Sequence, residues 1–341
     1  MVRVGIIGLG FMGTAHFGYY AANPKAQIVA LADAIEARRK GDFAGVGGNL
    51  SAAGGTGVDL SKVASYADPA DLIADPNVDL VDICLPTDLH ATWAIAALKA
   101  GKHVINEKPM ALTVADCTKV AAVAARSKGR YMVAQCIRFW PEYAVAKQIV
   151  ESGKIGKLRT IMLERVANTP RYSVGNWLLD ARRSGGAAFD LHVHDIDYAN
   201  YLAGVPKIVS AVGVRGESGG FDHLSAHLTY PKGVVAFVRG GWTYPPKWSF
   251  EMAFTIECEK GTLHWRMTSG KPLELITANG VETPEVAKSD GWREELKYLV
   301  DCLASKKKPT IVTAKTSRDA IRVVTAEVKS AASGGKAIKL G

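Results

Sequence analysis

The sequence predicts an α/β chain in two parts: a doubly wound parallel sheet of Rossmann type, then an α+β domain with a large, mostly antiparallel open sheet. Three observations predict it. Strand and helix signals alternate through the first ~135 residues, the pattern of parallel strands joined by crossover helices. A short apolar run, Val4 to Ile7, enters Gly8-x-Gly10-x-x-Gly13 and passes directly into a helical stretch. From about Arg138, long segments of alternating polarity take over, separated by turn signals such as Tyr230-Pro231-Lys232-Gly233. The boundary is placed between residues 135 and 136, giving domains 1–135 and 136–341.

The first strand, the glycines and the next strand form one unit. A second apolar run, Ile28 to Ala32, ends on Asp33, 20 residues after Gly13. Gly8 allows a tight turn, Gly10 admits a pyrophosphate against backbone, and Gly13 lets helix and strand pack closely. The helix starting at Phe11 and Met12 directs its first N–H groups at the anion, and Asp33 is placed to accept from ribose hydroxyls. This order of parts predicts a nicotinamide dinucleotide site. A carboxylate at the strand end repels a 2′-phosphate, so NAD is expected over NADP.

The remaining elements follow in order. A helix is expected from Glu36 to Phe43, and the glycine-rich segment Gly45–Gly57 is read as a surface insertion, not a second phosphate loop. Asp68 to Ala74 predicts a short helix and Val78 to Leu85 a buried strand. Thr87 is expected to cap a helix over 88–100 that Gly101 ends. His103 to Asn106 is a strand, Thr113 to Ser127 a helix, Tyr131 to Gln135 a strand and Glu142 to Ser152 a helix. Antiparallel strands are expected at 157–166, 207–215, 222–230, 233–241, 249–258 and 261–267, with one helix near 190–203 inserted. Helices from Trp292 to Ala304 and Ser317 to Ala332 close the chain, the last expected to pack back on the first domain.

Composition excludes several classes. With 48% hydrophobic and 22% charged residues, disorder is not expected. No apolar run reaches the ~18 residues needed to span a bilayer, and a first strand at Val2 leaves no room for a signal peptide. Five dispersed cysteines with no CxxC spacing predict no metal site and fit a reducing cytoplasm. Of the net charge of +9, six lie in residues 301–341, where nine Lys/Arg face three acids. Lys306-Lys307-Lys308-Pro309 reads as a solvated helix end, and no nucleic-acid partner is expected.

Two constellations carry chemistry. Glu107-Lys108-Pro109 follows a strand whose C-terminal end should face the ligand crevice. A lysine beside a positive nicotinamide ring should have a lowered pKa, suited to exchanging a proton with a substrate hydroxyl. In the segment Ser184 to Asp197, a regular helix starting near Phe189 would align Asp190, His194 and Asp197 along one face, at i, i+4 and i+7. His192 would then project elsewhere, and a metal held by His192 and His194 is not expected.

These motifs, with Leu85-Pro86-Thr87-x-x-His90 and Arg138-Phe139-x-Pro141, occur in an order that resembles the glucose–fructose oxidoreductase / inositol dehydrogenase / MocA family, from residue 2 to about 205 and again at the C-terminal helix. The resemblance implies Lys108 as the proton acid/base, with Asp190 and His194 binding and polarising the reacting hydroxyl. It implies that Pro86, Thr87 and His90 line the cofactor pocket and that Glu107 lies near the nicotinamide ribose. Arg138 would lie at the domain junction. Arg138, Trp177, His192 and Tyr244 are the candidate substrate contacts; for Trp177, Trp242 and Tyr244, core packing is the competing role, and for His192, filling space. The implied activity is NAD-dependent oxidation of a secondary alcohol of a sugar or polyol, by a homodimer or homotetramer formed through the second-domain sheet. An NAD-dependent glycosidase working by transient oxidation, and a non-catalytic dinucleotide or sugar sensor, are the alternatives.

Overall fold

The computed structural model describes residues 1–48 and 58–341; of the Gly45–Gly57 segment, residues 49–57 lie outside it. The chain divides into two compact units. Unit 1 comprises Met1–Cys136, Tyr172–Trp177 and Trp292–Arg318, and unit 2 comprises Ile137–Arg171, Leu178–Gly291 and Asp319–Gly341.

Unit 1 is built on six parallel strands. In chain order these are β1 (Val2–Ile7), α1 (Phe11–Ala21), β2 (Ala26–Ala32), α2 (Glu36–Arg39), β3 (Ala64–Tyr66), α3 (Pro69–Ala74), β4 (Leu80–Ile83), α4 (His90–Lys99), β5 (His103–Glu107), α5 (Val114–Arg126) and β6 (Tyr131–Ala134). The sheet order is β3-β2-β1-β4-β5-β6, so the direction of strand addition reverses beside β1. Val4, Ile6, Ile7, Leu80, Val81 and Ile83 are all fully buried, which is why these strands read as continuous apolar runs and not as alternation. Asp68 caps α3 through Ala70 N–H at 2.8 Å, and Thr113 caps α5 through Asp116 N–H at 3.0 Å. Thr87 does not cap as expected: a single 3₁₀ turn, Thr87–Leu89, precedes α4, whose own cap residue, Leu89, offers no side-chain acceptor.

Unit 2 holds a nine-stranded sheet. Its elements are α6 (Pro141–Glu151), β7 (Leu158–Asn168), α7 (Ala181–Ser184), α8 (Val193–Ala203), β8 (Ile208–Arg215), β9 (Phe221–Thr229), β10 (Val235–Tyr244), β11 (Glu251–Cys258), β12 (Gly261–Arg266), β13 (Glu274–Thr277) and β14 (Gly280–Glu282). Then come α9 (Gly291–Ala304), α10 (Ala314–Ala332) and β15 (Ile338–Lys339). α9 belongs to unit 1, and α10 is divided between the units after Arg318. The order is β14-β13-β12-β11-β7-β10-β9-β8-β15. The expected antiparallel sheet is mixed in one place, since β10 runs parallel to β7. A parallel pair needs a long crossover, and the chain from Thr169 to Val234, with α7, α8, β8 and β9, supplies it.

One face of this sheet is closed by α6 and α8. Tyr143, Tyr198, Phe254 and Trp265 meet there edge to face, with Tyr143–Tyr198 and Tyr143–Phe254 centroids each 4.8 Å apart. Trp242 is core, packed with Ala167, Ala187 and Leu191. The other face carries Met162, Val212, Val214, Phe237 and Ile276, with Val214 62% and Phe237 47% exposed. Phe237 stands directly beside Met162 and stacks on His227 at 4.8 Å.

Candidate active site

The glycine loop is shaped by contacts that only glycine permits at two positions. Gly8 has φ +88°, and a Cβ there would lie 2.5 Å from the Cys84 carbonyl oxygen. A Cβ on Gly13 would lie 1.8 Å from the Gly8 carbonyl oxygen. Gly10 differs, since a Cβ there would meet nothing within 4 Å. Its surroundings are open where a phosphate would approach, and α1 starts without a side-chain cap, leaving the Phe11, Met12 and Gly13 amides to a ligand. The Phe11 ring lies 6.1 Å from Trp292 and 6.2 Å from Tyr172.

Asp33 is fixed at the end of β2. Its Oδ2 accepts from Leu9 N–H at 2.7 Å and its Oδ1 from Ile35 N–H at 2.8 Å, so two of its roughly four acceptor sites remain for ribose hydroxyls. Arg39 is turned to the Asp33 carbonyl oxygen and to Ser65 Oγ. Thr87 is buried, and its hydroxyl has no hydrogen-bond partner among the described residues. An open glycine, free helix amides, a held carboxylate and an orphaned hydroxyl together fit a dinucleotide.

His90 is held at both ring nitrogens. It is buried, with Nδ1 2.7 Å from the Pro109 carbonyl oxygen and Nε2 2.7 Å from that of Leu85. Burial, against these two carbonyls, lowers its pKa, so the neutral ring braces two loops.

Glu107 and Lys108 end β5. The Glu107 carboxylate is buried, and its Oε2 accepts from Lys108 N–H at 3.0 Å. Lys108 is half-buried. Two buried residues outside the recognised motifs, His16 and Asp82, reach the same strand end, with His16 Nε2 3.3 Å from Glu107 Oε1. An acid inside the apolar run Leu80–Ile83 was the sequence signal for Asp82.

In unit 2 the second motif folds around its glycines. Gly185, at φ +79°, ends α7, and a Cβ on Gly186 would lie 2.9 Å from Ser218 Oγ. The chain then makes a π turn, Ala188–His192, before α8 begins at Val193. The expected single face of Asp190, His194 and Asp197 therefore needs correction, because the wider turn breaks the regular spacing. Asp190 is half-buried in the π turn, and His194 is buried in the first turn of α8. Asp197 is committed elsewhere: Arg138 Nε and Nη2 each donate to its carboxylate at 2.7 Å. Arg138 is itself buried, and its guanidinium lies over the Tyr201 ring at 4.6 Å.

The other candidate contacts separate by burial. His192 is fully buried, with Nε2 3.2 Å from Glu327 Oε2, and a Cβ on Gly240 would lie 2.7 Å from its Nδ1. Tyr244 is half-buried, stacks on Trp248 at 4.4 Å and accepts from Arg239 at 2.6 Å. Trp177 is half-buried in the short segment that groups with unit 1.

The family described as oxidoreductases with an NAD-binding Rossmann fold matches residues 2–135, and the Gfo/Idh/MocA C-terminal domain matches residues 143–264. An inositol 2-dehydrogenase of Rhizobium meliloti is 26% identical over 290 residues, covering 83% of this chain and 81% of that protein. A levoglucosan dehydrogenase of Pseudarthrobacter phenanthrenivorans is 37% identical over 216 residues, 62% of this chain and 53% of that one. A solved levoglucosan dehydrogenase, in complex with NADH and levoglucosan, superposes with a TM-score of 0.84 at 24% identity over 99% of each chain, a likeness of fold. Among the described residues no helix is long and apolar enough to cross a membrane.

Proposed function

The chain belongs to the Gfo/Idh/MocA oxidoreductase family, and on that footing we propose that it oxidises a secondary alcohol of a sugar or polyol to the ketone, with Lys108 as the proton acid/base. Unit 1 contains the NAD-binding Rossmann domain, and the chain is a dehydrogenase acting on CH–OH groups, as its named relatives are. Bound NAD+ supplies the hydride acceptor. The observation that carries the reading is the position of Lys108. It stands at the C-terminal end of β5, the same edge of the sheet where β1 delivers the glycine loop and β2 delivers Asp33.

In the oxidative direction the unprotonated Lys108 amine accepts the hydroxyl proton as the carbinol carbon gives up its hydride. In the reverse direction the ammonium returns that proton to the carbonyl oxygen. Asp190 and His194 bind and orient the hydroxyl, the roles the family resemblance assigns to these two positions. Inositol and levoglucosan, after which the relatives are named, are both cyclic polyhydroxy compounds, which supports that substrate class here.

The same proposal includes a homodimer or homotetramer formed through the uncovered face of the unit 2 sheet. Its support is the set of exposed apolar side chains on that face, Val212, Val214, Phe237, Met162 and Ile276.

The test is NADH formation at 340 nm across a panel containing myo-inositol, levoglucosan and common aldoses. Lys108→Met should retain NAD+ binding while turnover falls about 10²–10⁴-fold, the usual contribution of a positioned acid/base. Unchanged turnover in that variant refutes the assignment.

A further inference from the structure

Three buried ionisable side chains converge on the end of β5. His16, on α1, and Asp82, on β4, are fully buried, and Glu107 is 5% exposed. His16 Nδ1 lies 2.8 Å from Asp82 Oδ2. On the other side of the ring, Nε2 lies 3.3 Å from Glu107 Oε1, at ion-pair distance. The second oxygen of Glu107 holds the Lys108 backbone N–H at 3.0 Å. One imidazole thus links the helix that starts at the glycine loop to the residue that precedes Lys108.

We propose that His16, held between Asp82 and Glu107, is a positioning residue for Lys108. The inference rests on the reading of Lys108 as the acid/base. A glutamate at a strand end has several rotamers open to it, and the ion-pair attraction of His16 for Oε1, made without a hydrogen bond at Nε2, favours the one that leaves Oε2 on the Lys108 amide. That bond fixes the backbone direction from which the Lys108 side chain departs. Displacement of a reacting group by about 1 Å can cost ~10²-fold in rate, so a small rotation here is large in effect.

Charge is the second consequence. Burial opposes a positive His16, yet Asp82 outweighs it and raises its pKa well above 6.5. The groups facing the ring are Asp82 and Cys84 from β4 and its end, Glu107 from β5, and Glu295 from α9. Tyr20, one turn along α1, stands edge-on to the ring at 6.4 Å. Burial first, then Asp82, holds the Cys84 thiol and the Tyr20 phenol protonated. The imidazolium is therefore the counter-charge to the carboxylates beside the lysine. Without it, their uncompensated charge favours the ammonium form of Lys108.

The experiment compares His16→Gln and Asp82→Asn with wild type and Lys108→Met, using the panel sugar or polyol that wild type oxidises fastest. Folding is followed by circular dichroism and NAD+ binding by quenching of tryptophan fluorescence. Both network variants should fold and bind NAD+ within about threefold of wild type. Their kcat should fall about tenfold to a hundredfold; in His16→Gln the pH at which kcat reaches half its plateau should move upward, whereas Asp82→Asn, which removes a carboxylate along with the charge it holds on His16, should leave that pH in place. If Lys108→Met loses turnover while both variants keep kcat within twofold and His16→Gln an unmoved pH profile, the positioning role is overturned and the acid/base reading stands. If Lys108→Met keeps turnover, or wild type oxidises nothing in the panel, the acid/base reading fails and this proposal falls with it. If His16→Gln and Asp82→Asn both fail to fold, the cluster is an element of stability and the proposal is overturned.

Discussion

Arg165 and Asp195 form a buried pair whose two halves should not be equally costly to remove. Arg165 Nε and Nη2 donate to the Asp195 carboxylate at 2.9 and 3.0 Å, with both side chains at most 2% exposed. Asp195→Asn leaves a guanidinium that cannot discharge, inside unit 2, and should cost about 3–5 kcal/mol. For a unit of 150–250 residues this lowers Tm by roughly 6–20 °C. Arg165→Met leaves a group with an escape. Burial already raises the Asp195 carboxyl above its ordinary value despite Arg165, and without the guanidinium it rises further and takes up a proton. A raised carboxyl pKa gives stability that is present at low pH and lost as pH climbs through the folded value. Arg165→Met should therefore be destabilised less at pH 5 than at pH 8. Replacing both, Arg165→Met with Asp195→Leu, should recover most of the loss. Urea titrations followed by circular dichroism at the two pH values measure all three. A cost under about 1 kcal/mol for Asp195→Asn, or a pH-independent Arg165→Met, would refute the reasoning.

Two other outcomes are expected. His16 has its folded pKa raised above 6.5, so the stability it contributes is fully present below about that pH and is lost as pH rises through the raised value. Thermal unfolding from pH 6 to 10 should show a decline that His16→Gln flattens; an identical slope in the variant would remove His16 as its source. Phe237→Glu puts a charge among the exposed apolar residues of the open sheet face and should convert the proposed oligomer to monomer in light-scattering chromatography, with the fold unchanged. A wild-type chain that already elutes as a monomer at micromolar concentration would end that reading.

How far the sequence reached depended on the range of the interaction. Val4–Ile7, the glycines and Asp33 are neighbours in sequence and act as neighbours in space, so the first crossover was legible in order and role. The second sheet was legible strand by strand from its alternation. Its parallel β7–β10 pair was not, because a period of two carries no direction. Asp190 was misaligned for a local reason, since i, i+4, i+7 arithmetic assumes a regular helix and the π turn at Ala188–His192 departs from it. Arg138, Asp82, Glu295 and Glu327 take partners from distant segments, which no spacing rule reaches. The buried acid in β4 announced that it needed a partner without saying that His16 was the one.

Unit 1 is assembled from three separate stretches of chain, and its last stretch ends at Arg318. During synthesis at ~5–20 residues per second, roughly eight to thirty seconds pass between completion of β6 and the appearance of α9. Through that interval the nascent sheet lacks Glu295 beside His16 and Glu107, and Trp292 beside Phe11. The first unit to begin is thus among the last to finish, and a ribosome-stalled fragment ending near residue 140 should bind NAD+ poorly although it carries the whole glycine loop.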